Sequence, residues 1–191
     1  SEPADARRAI PSFDEPSFKA VFNVSATVKQ EHIAVANTSV KSETPLGNGM
    51  KQVRFNPTTK LSTYLLALSV GPFDVVDGPP IPPNEFRKQP LPFRCISAKG
   101  RGSLLSYALE HTPGILTWQE KYFGIAYPFD KLDLIAVPDY AAGAMENAGL
   151  ITFRETRLLL DPKTAPESQR RAVDGVIAHE LAHMWFGDLV T

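Results

Sequence analysis

The feature that most constrains the fold is a His-Glu-x-x-His string, formed by His179, Glu180 and His183 in a sequence of 191 residues. At about 100° per residue, the two histidines share one face of a helix, one turn apart, and their imidazoles can converge on one ion. Glu180 lies off that face, close enough to reach a water on the ion without being a ligand. Because proline suits a first helical turn, the pattern predicts a helix from Pro166 to about Gly187 that carries a metal site.

Small and apolar residues surround the motif on nearly every side of this predicted helix. The stripe that holds the histidines also holds Ala172, Gly175, Val176 and Phe186, and the other faces carry Val173, Ile177, Leu181, Met184 and Trp185. We therefore expect the second half of the helix to be buried, where two histidines and a glutamate need partners that offset their desolvation. A metal ion supplies such a partner. The alternative is a core helix with two hydrogen-bonded histidines and a chance glutamate.

Two histidines do not complete a catalytic zinc site, which takes three protein ligands. In one class of zinc protease a glycine follows the second histidine by three residues and a third histidine follows it by six. Phe186 and Leu189 occupy those positions here, which excludes that class. We expect the third ligand to come from later in the protein, typically from a glutamate on a following helix.

The order of predicted elements is a β-rich segment followed by a mixed segment. Before about residue 99 the alternation of apolar and polar residues predicts strands at 18–28, 32–37, 51–56, 62–71 and 91–97, with a proline-rich loop at 77–86. After it, the patterns predict a helix at 101–124 with a kink or junction at Pro113 and Gly114, and strands at 132–138, 149–155 and 156–161. The fold class is therefore α+β.

Composition excludes several classes of function. A formal net charge of −1 without a basic stripe argues against binding to nucleic acid. No apolar run reaches the 18 or so residues that a membrane span requires. Cys95 is the single cysteine, so no intramolecular disulfide can form, and both the compartment and the oligomeric state stay open.

A second motif, Gly-Ala-Met-Glu-Asn at residues 143–147, precedes the histidines by about thirty residues. Alone, this string indicates no more than a turn between alanine-rich strands. Together with HELAHMWFGDLVT (179–191), KYFGIAYPFDKLDLIAVPD (121–139) and ARRAIPSFDEP near the start, it resembles the M1 family of zinc aminopeptidases, the gluzincins related to aminopeptidase N. The resemblance covers essentially the whole chain.

The resemblance implies a role for each matching residue. His179 and His183 would bind one Zn²⁺, Glu180 would be the general base, and the substrates would be peptides with a free N-terminus. An edge strand beside the substrate backbone would consist of Gly143, Ala144, Met145, Glu146 and Asn147. Glu2 would help to hold the free amine of the substrate, although for a residue so near the end of the sequence a solvated charge is the stronger explanation. The family's third zinc ligand, a glutamate, and its transition-state tyrosine would lie beyond Thr191.

The resemblance also implies an architecture. Residues 1–98 would be the end of an antiparallel β-domain, and residues 99–191 the first part of a thermolysin-like mixed α/β catalytic domain. We expect the chain to be an internal piece of a larger enzyme that is inactive alone.

Two other functions remain open: a non-catalytic peptide-binding homologue, and a bifunctional enzyme that also opens an epoxide. Homologues that have lost catalysis usually lack a ligand or the base, whereas all of the corresponding residues are present here.

Overall fold

The computed structural model of the protein describes residues 6–191 and has a β-rich first part followed by a mixed part, which confirms the predicted α+β class. The strands in this range are β1 (Ser25–Lys29), β2 (Ile33–Ala36), β3 (Val40–Gly47), β4 (Met50–Phe55), β5 (Leu68–Gly71), β6 (Phe73–Asp77), β7 (Phe93–Ala98), β8 (Leu132–Val137), β9 (Ala144–Met145) and β10 (Leu150–Arg154). The helices are α1 (Ser106–Phe123) and α2 (Glu167–His183).

Two small antiparallel sheets form the first part, with strand orders β1-β4-β3 and β2-β5. Strand β3 was not predicted, because all of its residues are exposed and its sequence therefore shows no apolar alternation. It pairs with β4 through a turn in which Gly47, Asn48 and Gly49 all have positive φ.

Three predicted strands are wrong in part or in full. Only residues 25–28 of the predicted strand 18–28 belong to a strand, β1, because Phe18 is 56% exposed and Ala20 instead makes an isolated bridge to Leu61. Residues 63–65 form a 3₁₀ turn before β5 begins. The predicted strand 156–161 is absent. Its three leucines, 158–160, are buried, but they lie in an irregular segment that follows another 3₁₀ turn.

A third sheet has five strands in the order β6-β7-β8-β10-β9, which makes β9 an edge strand. β7 and β10 flank β8 in parallel, while β6 and β9 pair antiparallel with their neighbours. Five buried residues in succession make β8 the central strand, as its apolar run predicts. This sheet contains strands from both sides of residue 98, and the domain boundary at that residue stays a prediction.

Helices α1 and α2 pack against each other and enclose the main hydrophobic core with the five-stranded sheet. α1 continues through Pro113 without interruption and ends at Gly124, whose φ of 68° is the left-handed conformation typical of a helix end. Within residues 6–191, neither α-helix combines the length and the apolar character that a membrane crossing requires.

A buried asparagine joins the two parts. The Asn37 side chain donates hydrogen bonds to the carbonyls of Leu65 and Ala148, each at 2.8 Å, and accepts one from the Ala67 amide at 2.8 Å. Gly149 packs directly on the Asn37 carbonyl, and a Cβ built on Gly149 would lie 2.2 Å from that oxygen. The chain after the Gly-Ala-Met-Glu-Asn motif is thereby fixed to the first part.

Candidate active site

Two hydrogen bonds position the C-terminal part of α2, the helix that carries the histidines. The Gln119 side chain of α1 donates to the carbonyl of Ala178, the residue before His179, at 2.7 Å. Beyond the end of α2, the Trp185 indole donates to the Ile125 carbonyl at 3.2 Å. The buried face of the helix carries Val173, Ile177 and Leu181, and Met184 and Trp185 directly after it are also buried.

The prediction that the second half of this helix is buried almost all round is wrong. His179 is exposed and His183 is partly exposed, and Ala172, Gly175 and Phe186 on the same stripe are also exposed. The buried face follows the large apolar side chains, whereas the stripe of the histidines contains small residues that contribute little to a core. Both imidazoles can therefore be reached from outside the described part of the chain.

The two histidines have the separation that a shared ion requires. Their Nε2 atoms are 3.2 Å apart, and the ring planes are inclined by 86°. Two nitrogens each about 2.05 Å from a tetrahedral zinc ion would be about 3.3 Å apart. The side chains of His179 and His183 therefore fit a metal ion without a change of rotamer.

The backbone after α2 sets the tautomer of His183. Its Nδ1 lies 2.9 Å from the carbonyl oxygen of Phe186, and since a carbonyl can only accept, Nδ1 donates its hydrogen. The lone pair of the neutral ring is then on Nε2, the atom that faces His179. Gly187, with a φ of 127°, lets the chain turn back close to the His183 ring.

These two histidines do not have a third protein ligand among residues 6–191. No group of three or more His, Cys, Asp and Glu side chains in that range is arranged to hold a metal ion. A catalytic zinc centre takes three protein ligands, so the two histidines alone would not complete one.

Glu180 is buried, with 5% of its surface exposed, and it shares its surroundings with Glu146 and with a carboxyl group that was not predicted, that of Asp188. The pKa of Asp188 is raised to about 8, first by burial and then by the charges of Glu146 and Glu180, while Lys19 acts in the opposite direction. Neither carboxyl oxygen of Asp188 makes a hydrogen bond within the described residues. In the sequence, Asp188 could have been identified as a candidate site residue only because it is an acidic residue within an apolar run.

The Gly-Ala-Met-Glu-Asn motif lies at the open edge of the five-stranded sheet, against α2. Met145 pairs with Thr152 and Ala144 with Phe153, so one side of β9 is paired with β10 and the other has no strand partner among residues 6–191. Gly143 comes directly before β9, and Glu146 follows it and is partly exposed. The structure thus brings Glu146 to the helix that holds the histidines.

Asn147, the last residue of the motif, faces the protein interior. Its side chain is buried and donates to the carbonyls of Tyr64 at 3.5 Å and Leu65 at 3.3 Å. It also accepts a hydrogen bond from the Thr152 hydroxyl at 3.0 Å. These contacts anchor the C-terminal end of the edge strand. Glu2, the remaining predicted substrate contact, lies outside the described residues.

Comparisons with known proteins agree with this arrangement. A model of the peptidase family M1 domain matches residues 107–191, and a model of the peptidase M1 N-terminal domain matches residues 1–65. The chain is 45% identical over 190 residues to endoplasmic reticulum aminopeptidase 2 of Homo sapiens and 44% identical over 191 residues to aminopeptidase M1-A of Oryza sativa subsp. japonica. It is 41% identical over 191 residues to aminopeptidase N of Acetobacter pasteurianus.

Each of these alignments covers 100% of the chain. The chain spans 19% of the length of the human protein, 21% of the rice protein and 52% of the bacterial protein.

Proposed function

This chain belongs to peptidase family M1, and on that premise we propose that it carries the metal-binding helix and the amine-binding strand of a zinc-dependent aminopeptidase. The observation that supports this most directly is the pair of Nε2 atoms of His179 and His183, 3.2 Å apart on a helix that packs against the strand leading to Glu146. The substrates are peptides with a free N-terminus.

His179 and His183 would hold one zinc ion, together with a third ligand that residues 6–191 do not supply. When bound, such an ion lowers the pKa of a water ligand to about 7 and polarises a carbonyl group. Glu180 is the general base: it accepts the proton of the attacking water and later delivers it to the leaving amine. Its position directly after His179, off the helix face that the two histidines share, supports this role.

Glu146 makes the enzyme an exopeptidase. The α-amine of a peptide has a pKa of about 7.7–8.0 and is mostly a cation at neutral pH, so a carboxylate at a fixed distance from the metal anchors the first residue. Glu2 would add to this anchor. The unpaired edge of β9 is suited to bind the extended backbone of the substrate beside it.

The presence of all four functional side chains, His179, Glu180, His183 and Glu146, favours a catalytic protein over a non-catalytic homologue. Since the described residues supply two of three ligands, we propose that residues 1–191 alone bind zinc weakly and turn over little substrate.

A rate comparison on matched peptides tests this proposal in the full-length enzyme. One peptide has a free N-terminus and the other is the same peptide N-acetylated, which removes the cation that Glu146 recognises. We expect the free peptide to be cleaved much faster than the acetylated one, and we expect this activity to be lost with a chelator and to return with zinc. The proposal is wrong if both peptides are cleaved at similar rates or if activity survives complete removal of zinc.

A further inference from the structure

One arginine organises the segment that leads into the edge strand. At the end of β10, the Arg154 Nε donates to the carbonyl of Tyr140 at 2.9 Å and to that of Ala142 at 3.0 Å, and its Nη2 donates to the carbonyl of Ala141. The Arg154 backbone amide donates to the Gly143 carbonyl at 2.9 Å. A single residue therefore binds four consecutive carbonyl oxygens, those of residues 140–143, which we call the 140–143 segment.

The edge strand needs such a support because strand pairing fixes it over a very short length. Only Ala144 and Met145 form β9, and they pair on one side only. The chain enters the 140–143 segment through Asp139, whose φ of 54° is a conformation that non-glycine residues seldom adopt. Asn147 anchors the other end of the strand. The short strand that leads to Glu146 is thus held at both ends. Arg154 binds the segment that precedes the strand, and Asn147 anchors the chain that follows it.

We propose that Arg154 is a positioning residue for Glu146, and hence for recognition of the substrate amine. It does not touch the substrate: it holds the 140–143 segment, and the segment determines where β9 presents Glu146. This inference rests on the proposed function, in which Glu146 binds the α-amine.

Only arginine has the geometry for this task. Its guanidinium is a rigid planar group with five N–H donors, so one side chain can bind several carbonyls at fixed angles. Lysine would keep the charge but, as a point charge on a flexible stem, would hold the carbonyls less rigidly. Arg154 is partly exposed, so water can replace its hydrogen bonds in a variant. We therefore expect replacement of Arg154 to loosen the segment without unfolding the protein.

The test uses the full-length enzyme with Arg154→Met and Arg154→Lys. The matched control is Arg157→Met, because Arg157 is exposed in the next turn. For each variant kcat and KM are measured on the free peptide, the residual rate is measured on its acetylated counterpart, and zinc content is determined. A displacement of about 1 Å in a positioned group costs up to about a hundredfold in rate.

We expect Arg154→Met to lower kcat/KM on the free peptide roughly tenfold to a hundredfold, through both a higher KM and a lower kcat. The slow rate on the acetylated peptide and the zinc content should not change, so that discrimination between the two peptides falls. Arg154→Lys should show a smaller change of the same kind, and it carries the test if Arg154→Met does not fold. Arg157→Met should behave like the wild type.

The inference is overturned if Arg154→Met and Arg154→Lys discriminate as well as the wild type. It is also overturned if they slow both peptides by the same factor or lose zinc in proportion to activity, because that pattern indicates a general structural role. If the wild-type enzyme itself cleaves both peptides equally, the proposed function fails and this inference fails with it.

Discussion

Replacement of Gly149 by alanine should destabilise the enzyme through two separate effects. Gly149 has a φ of 72°, a left-handed conformation that costs a non-glycine residue about 1–2 kcal/mol. The added Cβ would also lie 2.2 Å from the Asn37 carbonyl oxygen, far inside van der Waals contact, and such overpacking costs about 1–3 kcal/mol. Because that oxygen belongs to the backbone at the junction of the two parts, it cannot rotate away. We expect a total loss of about 2–5 kcal/mol.

Gly100→Ala is the matched control. Gly100 has a similar φ of 86°, but no atom lies within 4 Å of the position its Cβ would take. Urea unfolding of the full-length enzyme, monitored with a probe in this part of the protein, should therefore show the conformational cost alone for Gly100→Ala. Gly149→Ala should be about 1–3 kcal/mol less stable than the control. Equal losses in the two variants would refute the steric argument, and a loss confined to Gly100→Ala would refute the whole account.

Three further predictions concern single side chains. Glu180→Gln should lower turnover about 10²–10⁴-fold while zinc content stays at the wild-type level, and loss of zinc would show that Glu180 is a ligand instead of a base. His183→Ala should remove most of the bound zinc, measured by metal analysis after dialysis; retention of a full equivalent would exclude His183 as a ligand. The Cys95 thiol is fully buried, and burial raises its pKa far above the ordinary value, so the reactive thiolate is absent at neutral pH. Mass spectrometry should find Cys95 unmodified by iodoacetamide in the native enzyme and alkylated in urea, and equal rates in both states would contradict its burial.

The sequence predicted an element well where burial followed a simple pattern, either a continuous apolar run or a helical period. The apolar run of β8 and the period of α2 correspond to elements in the core. The predicted helix 166–187 ends earlier, at His183, because the amides of Asp188 and Val190 turn back to the carbonyls of His183 and Trp185. β3 could not be found from periodicity, since neither of its faces is buried. The leucines at 158–160 were predicted as a strand because apolar character indicates burial, not strand pairing.

The candidate site was predictable to a different extent. The spacing of His179 and His183 was sufficient to predict convergent imidazoles, because a helix fixes the separation of residues four apart. The contacts that hold Glu146 were not predictable, because Arg154 and Asn147 bind backbone carbonyls. Every residue has a carbonyl, so no pattern of side chains indicates which arginine or asparagine will bind several of them.

The helix that carries the histidines, α2, and the strand that leads to Glu146, β9, are held by different contacts. On the proposed function, this separation has a consequence. Gln119 and the Trp185 indole fix the end of α2, whereas Arg154 and Asn147 fix β9. Because these hydrogen bonds go to different elements, substitution of Arg154 or Asn147 should change recognition of the free amine while the histidines keep their geometry. On the proposed function, the distance between the two elements decides which peptide bond reaches the metal, so we expect both sets of contacts to be needed for removal of a single residue.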